Sequence, residues 1–209
     1  MPEHDIGLTA FPPGPWESAV EALVRQGWVV LPAALPALAC QSLRQEAEAL
    51  RSEGGFSPAR VGRTGVPVRE TAVRGDELCW LEAGMPAGGR YLEWLEGLRV
   101  ALNRELFLGL AEVEAQYAYY PAGAFYKTHV DRHRDSNARV ISAVCYLNPS
   151  WPADAGGEFV MYDPEGRERF RQPPEAATLV LFRSEDMPHE VLPATQERWS
   201  IASWFRTRV

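Results

Sequence analysis

VEAQYAYY, residues 113–120, begins a run of short β-prone segments that continues to residue 205. These segments are rich in β-branched and aromatic residues, and most are separated by turns that contain Gly, Pro, Asp or Asn. The seven that follow are AFYKTHVD (124–131), ARVISAVCYLN (138–148), GEFVMYD (157–163), ERFRQ (168–172), ATLVLFR (177–183), HEVLPA (189–194) and RWSIASWF (198–205). Eight short strands of this kind predict a jelly-roll or barrel of two β-sheets.

The chain before this run has a mostly helical pattern. Apolar residues at helical spacing predict helices over residues 16–26, 35–51 and 90–106, with a short buried strand at 28–31. We therefore expect one mainly β domain over residues 1–209, with the N-terminal helices packed on one sheet. A helical support region would extend to about residue 110, and the β core would occupy about residues 111–209.

The composition narrows the classes of function. The chain has 209 residues, 46% of them hydrophobic, and a formal charge of −7. This charge argues against a nucleic-acid partner, because nucleic-acid binders usually carry a basic surface. The longest apolar stretch is too short and too interrupted by proline to span a bilayer. With no signal-peptide pattern and no CxxC pair, the expected location is the cytoplasm.

Residues 52–76 form a long connection rich in glycine and arginine. A connection of this length is usually functional or disordered. Two interpretations are open: a mobile solvated loop, or a flap that covers the active site.

The candidate chemistry begins with His129-Val130-Asp131. Residues two apart on a strand project to the same face, so the imidazole and the carboxylate can bind one metal side by side. The pair alone is weak evidence, but His189 lies in another predicted strand. Two histidines and one carboxylate form the facial triad of non-haem iron(II) oxygenases. Zinc hydrolases use the same residue types, so the triad alone leaves both reactions open.

Arg198 favours the oxygenase. It follows His189 by nine residues (198 − 189) across a predicted hairpin, and it shares a strand face with Ser200, Ala202 and Trp204. A guanidinium inside a barrel needs an anionic partner, because an unpaired buried charge is very costly. That partner could be a carboxylate ligand or, alternatively, a carboxylate of the protein itself.

Several segments together resemble a known family. HVD (129–131), ARVISAVCYLN (138–148), GGEFVMYD (156–163), PHEV (188–191) and the position of Arg198 are similar to prolyl 4-hydroxylases of the oxygen-sensing type, including their bacterial relatives. The resemblance covers roughly residues 70–206. It implies a double-stranded β-helix, cupin-like core and an Fe(II)- and 2-oxoglutarate-dependent dioxygenase. His129, Asp131 and His189 would hold the iron.

The resemblance also implies the cosubstrate site. Arg198 would pair with the distal carboxylate of 2-oxoglutarate, Tyr146 would donate its hydroxyl to the same carboxylate, and Tyr120 would line the pocket. For both tyrosines simple packing is the alternative. The implied reaction is 4-hydroxylation of a prolyl residue in a protein, for which a translation factor is one candidate. O2 would be consumed, succinate and CO2 would be released, and ascorbate would support turnover. A free amino acid or another small molecule is an alternative substrate, and a non-catalytic binding module is a third possibility.

Overall fold

The computed structural model of the chain describes residues 16–59, 72–131 and 138–208. The helices within these ranges are α1 (Trp16–Gln26), α2 (Ala37–Ser52) and α3 (Gly88–Leu106). The strands are β1 (Trp28–Leu31), β2 (Ser57–Pro58), β3 (Glu77–Trp80), β4 (Leu110–Tyr120), β5 (Tyr126–His129), β6 (Arg139–Tyr146), β7 (Phe159–Tyr162), β8 (Glu168–Gln172), β9 (Leu179–Arg183), β10 (His189–Val191) and β11 (Arg198–Thr207).

The strands form two antiparallel sheets. The major sheet has the order β1-β9-β6-β11-β4-β3-β2, and the minor sheet has the order β5-β10-β7-β8. Strands that are distant in sequence pair directly, as β11 does with both β4 and β6. This is the double-stranded β-helix with flanking helices that was predicted, and the eight β-prone segments all become strands, β4 to β11.

Alternation along the strands of the major sheet separates two cores. Trp199 and Ile201 on β11, and Cys145 on β6, pack on the helix side together with residues of α1, α2 and α3. Tyr146, the next residue of β6, packs instead among residues of the minor sheet such as Phe159. The inner face of the major sheet, turned toward the minor sheet, therefore carries the even-numbered residues of β6 and β11 in this region.

The region before residue 110 contributes strands as well as helices. β1 pairs with β9 as the outermost strand at one end of the major sheet, and β3 pairs with β4 near the other end. The pattern of the sequence indicated β1 but neither β2 nor β3. β1 is a wholly apolar run, whereas β2 has only two residues and β3 mixes charged and apolar residues, so the position of β2 and β3 is set by the strands they pair with.

The glycine- and arginine-rich connection is attached to the sheets at both ends. Ser57 and Pro58 pair with β3, and Gly75 donates a backbone hydrogen bond to the carbonyl of Phe125 beside β5. The predicted mobile loop or flap falls mainly on residues 60–71, which lie outside the described residues. Among the helices that are described, none is long and apolar enough to cross a membrane.

Candidate metal centre

Three side chains predicted to bind metal meet at the ends of two neighbouring strands. His129 ends β5, Asp131 follows two residues later, and His189 begins β10 directly opposite His129. The Nε2 atoms of His129 and His189 lie 3.6 Å and 3.8 Å from Oδ1 of Asp131. One potential ligand atom from each of the three lies within 4.8 Å of the others. Two imidazoles and one carboxylate on one side of a metal leave its other coordination positions open for further ligands.

Both histidine rings are held in the tautomer that a metal requires. Nδ1 of His129 lies 2.8 Å from the carbonyl oxygen of Lys127, and Nδ1 of His189 lies 2.8 Å from that of Met187. A carbonyl oxygen only accepts, so each Nδ1 carries the proton and donates it. Each Nε2, which lies near Oδ1 of Asp131, then keeps its lone pair available for a metal, as in metal-bound histidines.

The charge states of the cluster also suit metal binding. Burial lowers the pKa of His189 to about 4, and the nearby His129 acts in the same direction, so the ring is neutral at pH 7. Burial by itself would raise the pKa of Asp131, but the imidazoles of His189 and His129 hold it well below its usual range. The cluster thus offers a neutral nitrogen donor at His189 and an ionised oxygen donor at Asp131, the forms that bind a divalent cation.

Arg198 lies on the inner face of the major sheet and is 1% exposed. Its Nε donates to the carbonyl of Gly157 at 3.0 Å, and its Nη1 donates to Oγ of Ser200 at 3.2 Å. Nη2 is buried and has no hydrogen-bond partner among the described residues. Among the described residues, no carboxylate forms an ion pair with this guanidinium. The alternative interpretation, a structural salt bridge between Arg198 and a carboxylate of the protein, is therefore not supported by the described part of the chain.

Two tyrosines lie beside Arg198 because of the strand register. Arg198 is opposite Tyr120 on β4, and Ser200 is opposite Tyr146 on β6. The guanidinium carbon is 5.0 Å from the ring centroid of Tyr120 and 5.2 Å from that of Tyr146. Burial raises the pKa of both phenols above the ordinary range, so both stay protonated and can donate.

The phenol of Tyr146 is a second buried donor beside Arg198. Its Oη is buried and, like Nη2 of Arg198, has no hydrogen-bond partner among the described residues. Buried donors of this kind are rare because each costs desolvation energy, and a carboxylate is the ligand that a guanidinium and a phenol together favour. The residues present therefore fit the distal carboxylate of an oxo-acid.

A glycine pair that was not predicted to be functional positions Arg198. Gly156 and Gly157 have positive φ angles of 71° and 74°. A Cβ on Gly156 would lie 2.5 Å from the carbonyl oxygen of Pro193, and one on Gly157 would lie 2.8 Å from Cβ of Ala194. Only glycine permits both this conformation and this close approach. The two adjacent glycines in the GGEF segment could have indicated an unusual backbone conformation. The sequence could not indicate that the carbonyl of Gly157 accepts a hydrogen bond from Arg198, because that contact depends on the fold.

Comparison with known proteins identifies the family. The model of the 2OG-Fe(II) oxygenase superfamily matches residues 115–206, which include the three clustered side chains and Arg198. The crystal structure of a Pseudomonas putida prolyl-4-hydroxylase superposes with a TM-score of 0.84 and 39% identity, covering 93% of this chain and 100% of that one. The chain belongs to the 2OG-Fe(II) oxygenase superfamily. The resemblance recognised in the sequence is thereby confirmed.

This oxygenase is also similar to animal proteins. A Trichoplax adhaerens prolyl hydroxylase, solved with a hypoxia-inducible-factor peptide, has a TM-score of 0.83 and 27% identity, over 91% of this chain and 88% of that one. Human Egl nine homolog 1 is 29% identical over 174 residues, which are 79% of this chain but 40% of the human protein. The chain thus spans less than half of that relative. Membership of the superfamily implies Fe(II), 2-oxoglutarate and O2 as cofactor and cosubstrates.

Proposed function

We propose that this chain is a 2-oxoglutarate-dependent dioxygenase that hydroxylates a prolyl residue, at the 4-position, in a protein substrate. The observation that carries the proposal is the buried guanidinium of Arg198 in the same β-helix as the triad: neither its Nη2 nor the adjacent phenol of Tyr146 has a hydrogen-bond partner within residues 16–59, 72–131 and 138–208. The prolyl substrate is supported by the similarity to the P. putida prolyl-4-hydroxylase over nearly the whole chain.

Each residue has a defined task in this proposal. His129, Asp131 and His189 would hold Fe(II) through Nε2, a carboxylate oxygen and Nε2. Arg198 and Tyr146 would bind the distal carboxylate of 2-oxoglutarate, and Tyr120 would line the pocket. When bound, the iron and the oxo-acid would supply the chemistry by which O2 converts C–H to C–OH: one oxygen atom of O2 enters the hydroxyl group, the other enters succinate, and CO2 is released. The protein supplies the position of the reactants and the exclusion of water.

Other parts of the proposal rest on the sequence alone. These are a single domain over residues 1–209, a cytoplasmic location, ascorbate as a supporting reductant, a translation factor as the target and the absence of a nucleic-acid partner. A free amino acid or another small molecule is the alternative substrate, because the same triad and arginine would serve it equally well. The described residues offer no observation that favours a non-catalytic module.

The test is turnover followed by identification of the product. Purified protein with Fe(II) should convert 2-oxoglutarate slowly to succinate, and a protein substrate captured anaerobically should gain one oxygen atom on a proline once air is admitted. The variants His129→Ala and Asp131→Ala should lose metal and turnover, while Asp163→Asn, a carboxylate paired with Arg167, should keep both. Normal succinate production by either alanine variant would contradict the assignment. Oxidation of a free amino acid instead of a protein would favour the alternative substrate.

A further inference from the structure

The ring of His129 is covered by a second aromatic ring. Tyr126 stacks on it with a centroid separation of 3.6 Å and an interplanar angle of 16°. Residues three apart on a regular strand point to opposite faces. Here Val191 and His189 of β10 pair with Tyr126 and His129, so β5 has one extra residue, a β-bulge, between the two pairs. The bulge turns Tyr126 to the side of His129, in keeping with the frequent use of bulges to redirect side chains near sites.

An ion pair covers the opposite face of Tyr126. The guanidinium carbon of Arg74 lies 4.1 Å from the ring centroid, a cation–π contact. Nε and Nη2 of Arg74 donate to the two carboxylate oxygens of Asp76 at 2.8 Å and 2.5 Å. The side chain of Asp76 is fully buried and that of Arg74 is 12% exposed. A bidentate pair of this kind fixes the plane of the guanidinium as well as its position.

Backbone hydrogen bonds hold the segment that contains Arg74 against β5, the strand that carries His129. β5 is an outer strand of the minor sheet, and residues 73–75 run along its free edge. Gly75 donates to the carbonyl of Phe125 at 3.0 Å, and Lys127 donates to that of Val73 at 2.9 Å. The order from the buried carboxylate to the metal cluster is therefore Asp76, Arg74, Tyr126 and His129. We call this series the stacking column.

The two histidines of the triad are held by different means. His189 is 4% exposed, lies on an inner strand, and packs between Phe159 and Phe182 at centroid distances of 5.1 Å and 4.7 Å. His129 is on the outer strand, and its side chain is 19% exposed. The hydrogen bond from Nδ1 to Lys127 fixes its tautomer, but on the face turned away from His189 the packing comes from Tyr126.

We propose that Asp76, Arg74 and Tyr126 are positioning residues that hold the imidazole of His129 in the orientation needed to bind the metal. This inference rests on the proposed function, because it assigns His129 as a ligand. Groups that orient a ligand histidine typically change metal affinity 10- to 100-fold when they are removed. The stacking column would orient the imidazole of His129 through the stacked ring of Tyr126 and the ion pair of Arg74 with Asp76, in addition to the hydrogen bond from Nδ1 to the carbonyl of Lys127.

The experiment measures metal binding without turnover. Mn(II) and Co(II) are titrated anaerobically into the whole metal-free protein, and the visible absorption spectrum of bound Co(II) reports the ligand geometry. Tyr126→Leu and Arg74→Gln should bind Mn(II) about tenfold more weakly and should alter the Co(II) spectrum. Tyr126→Phe keeps the ring, so it should retain the affinity of the unsubstituted protein and its spectrum.

The chain contains a matched control on the helix side of the major sheet. Arg51 lies 3.7 Å over the ring of Tyr119 and pairs with Glu77 at 2.7 Å, and Tyr119 in turn packs against Trp199, which is not part of the histidine–aspartate cluster. Arg51→Gln should lower the melting temperature without changing either metal measurement. Unchanged Mn(II) affinity in Tyr126→Leu and Arg74→Gln would overturn the inference, as would equal losses in Tyr126→Phe and Tyr126→Leu. If the unsubstituted protein bound no divalent metal, the proposed function itself would fail.

Discussion

Substitution of Arg198 separates binding of the oxo-acid from binding of the metal. In the folded protein two of its nitrogens are occupied, Nε by the carbonyl of Gly157 and Nη1 by the hydroxyl of Ser200. Nη2, which has no hydrogen-bond partner in the described part of the chain, remains for a ligand, and Tyr146 offers one further donor. Arg198→Lys would keep the charge but lose the planar fork, and Arg198→Ala would lose both.

The expected size of the effect follows from these donors. A charge-assisted hydrogen bond contributes roughly 1.5–3 kcal/mol, and about 1.4 kcal/mol corresponds to a factor of ten in affinity. Losing two such bonds in Arg198→Ala should therefore weaken 2-oxoglutarate binding by about two to four orders of magnitude. Arg198→Lys should lie between Arg198→Ala and the unsubstituted protein. Tyr146→Phe, which loses one hydroxyl, should cost about tenfold.

The assay is anaerobic titration of 2-oxoglutarate into protein loaded with Mn(II), accompanied by a separate Mn(II) titration and a thermal melt. Mn(II) affinity should barely change, because Arg198 is not a proposed ligand. Arg206→Ala is the control: this guanidinium is on the same strand but is paired with Glu112 and Glu114 at 3.0 Å. Unchanged oxo-acid affinity in Arg198→Ala would refute the reasoning. Loss of Mn(II) binding would show instead that the surrounding structure had collapsed.

Two further substitutions test how the fold supports the site. Gly157→Ala should lower the free energy of unfolding by about 2 kcal/mol or more and weaken 2-oxoglutarate binding, because the added Cβ clashes with Ala194 and the residue keeps a positive φ. Gly166→Ala is the control: its φ is 82° and no atom lies within 4 Å of the added Cβ, so a urea titration should show only the cost of the backbone conformation. Glu46→Gln should lower the free energy of unfolding by about 2–4 kcal/mol with no change in metal affinity, because Glu46 accepts from the amides of Ala87 and Gly88 at the start of α3 and from the hydroxyl of Tyr117. An unchanged melting temperature in Glu46→Gln would show that water replaces these bonds.

The pattern of residues predicted two sheets of short β-strands and named most residues of the candidate site, whereas the double-stranded β-helix was implied by the family resemblance. Strand alternation is local, so the shared face of Arg198, Ser200 and Trp204, and the opposite directions of Cys145 and Tyr146, follow from the order of residues. The side chains of the triad could be named because few histidines occur in the chain and two fall on predicted strands. Their role as metal ligands followed from the residue types, whereas the roles of Tyr146 and Tyr120 toward 2-oxoglutarate came from the family resemblance; all of these roles stay predictions.

The tertiary structure decided which groups surround those side chains. Tyr126 and His129 share a face only because β10 pairs with β5 through a bulge, and a count of residues along β5 gives the opposite answer. Arg74 contacts Tyr126 because residues 73–75 lie along the free edge of β5. Gly157 contacts Arg198 because the backbone at residues 156–157 approaches the hairpin at residues 193–194. Each of these contacts joins segments about 30 or more residues apart, so their geometry is set by long-range strand pairing, which local patterns of sequence do not encode.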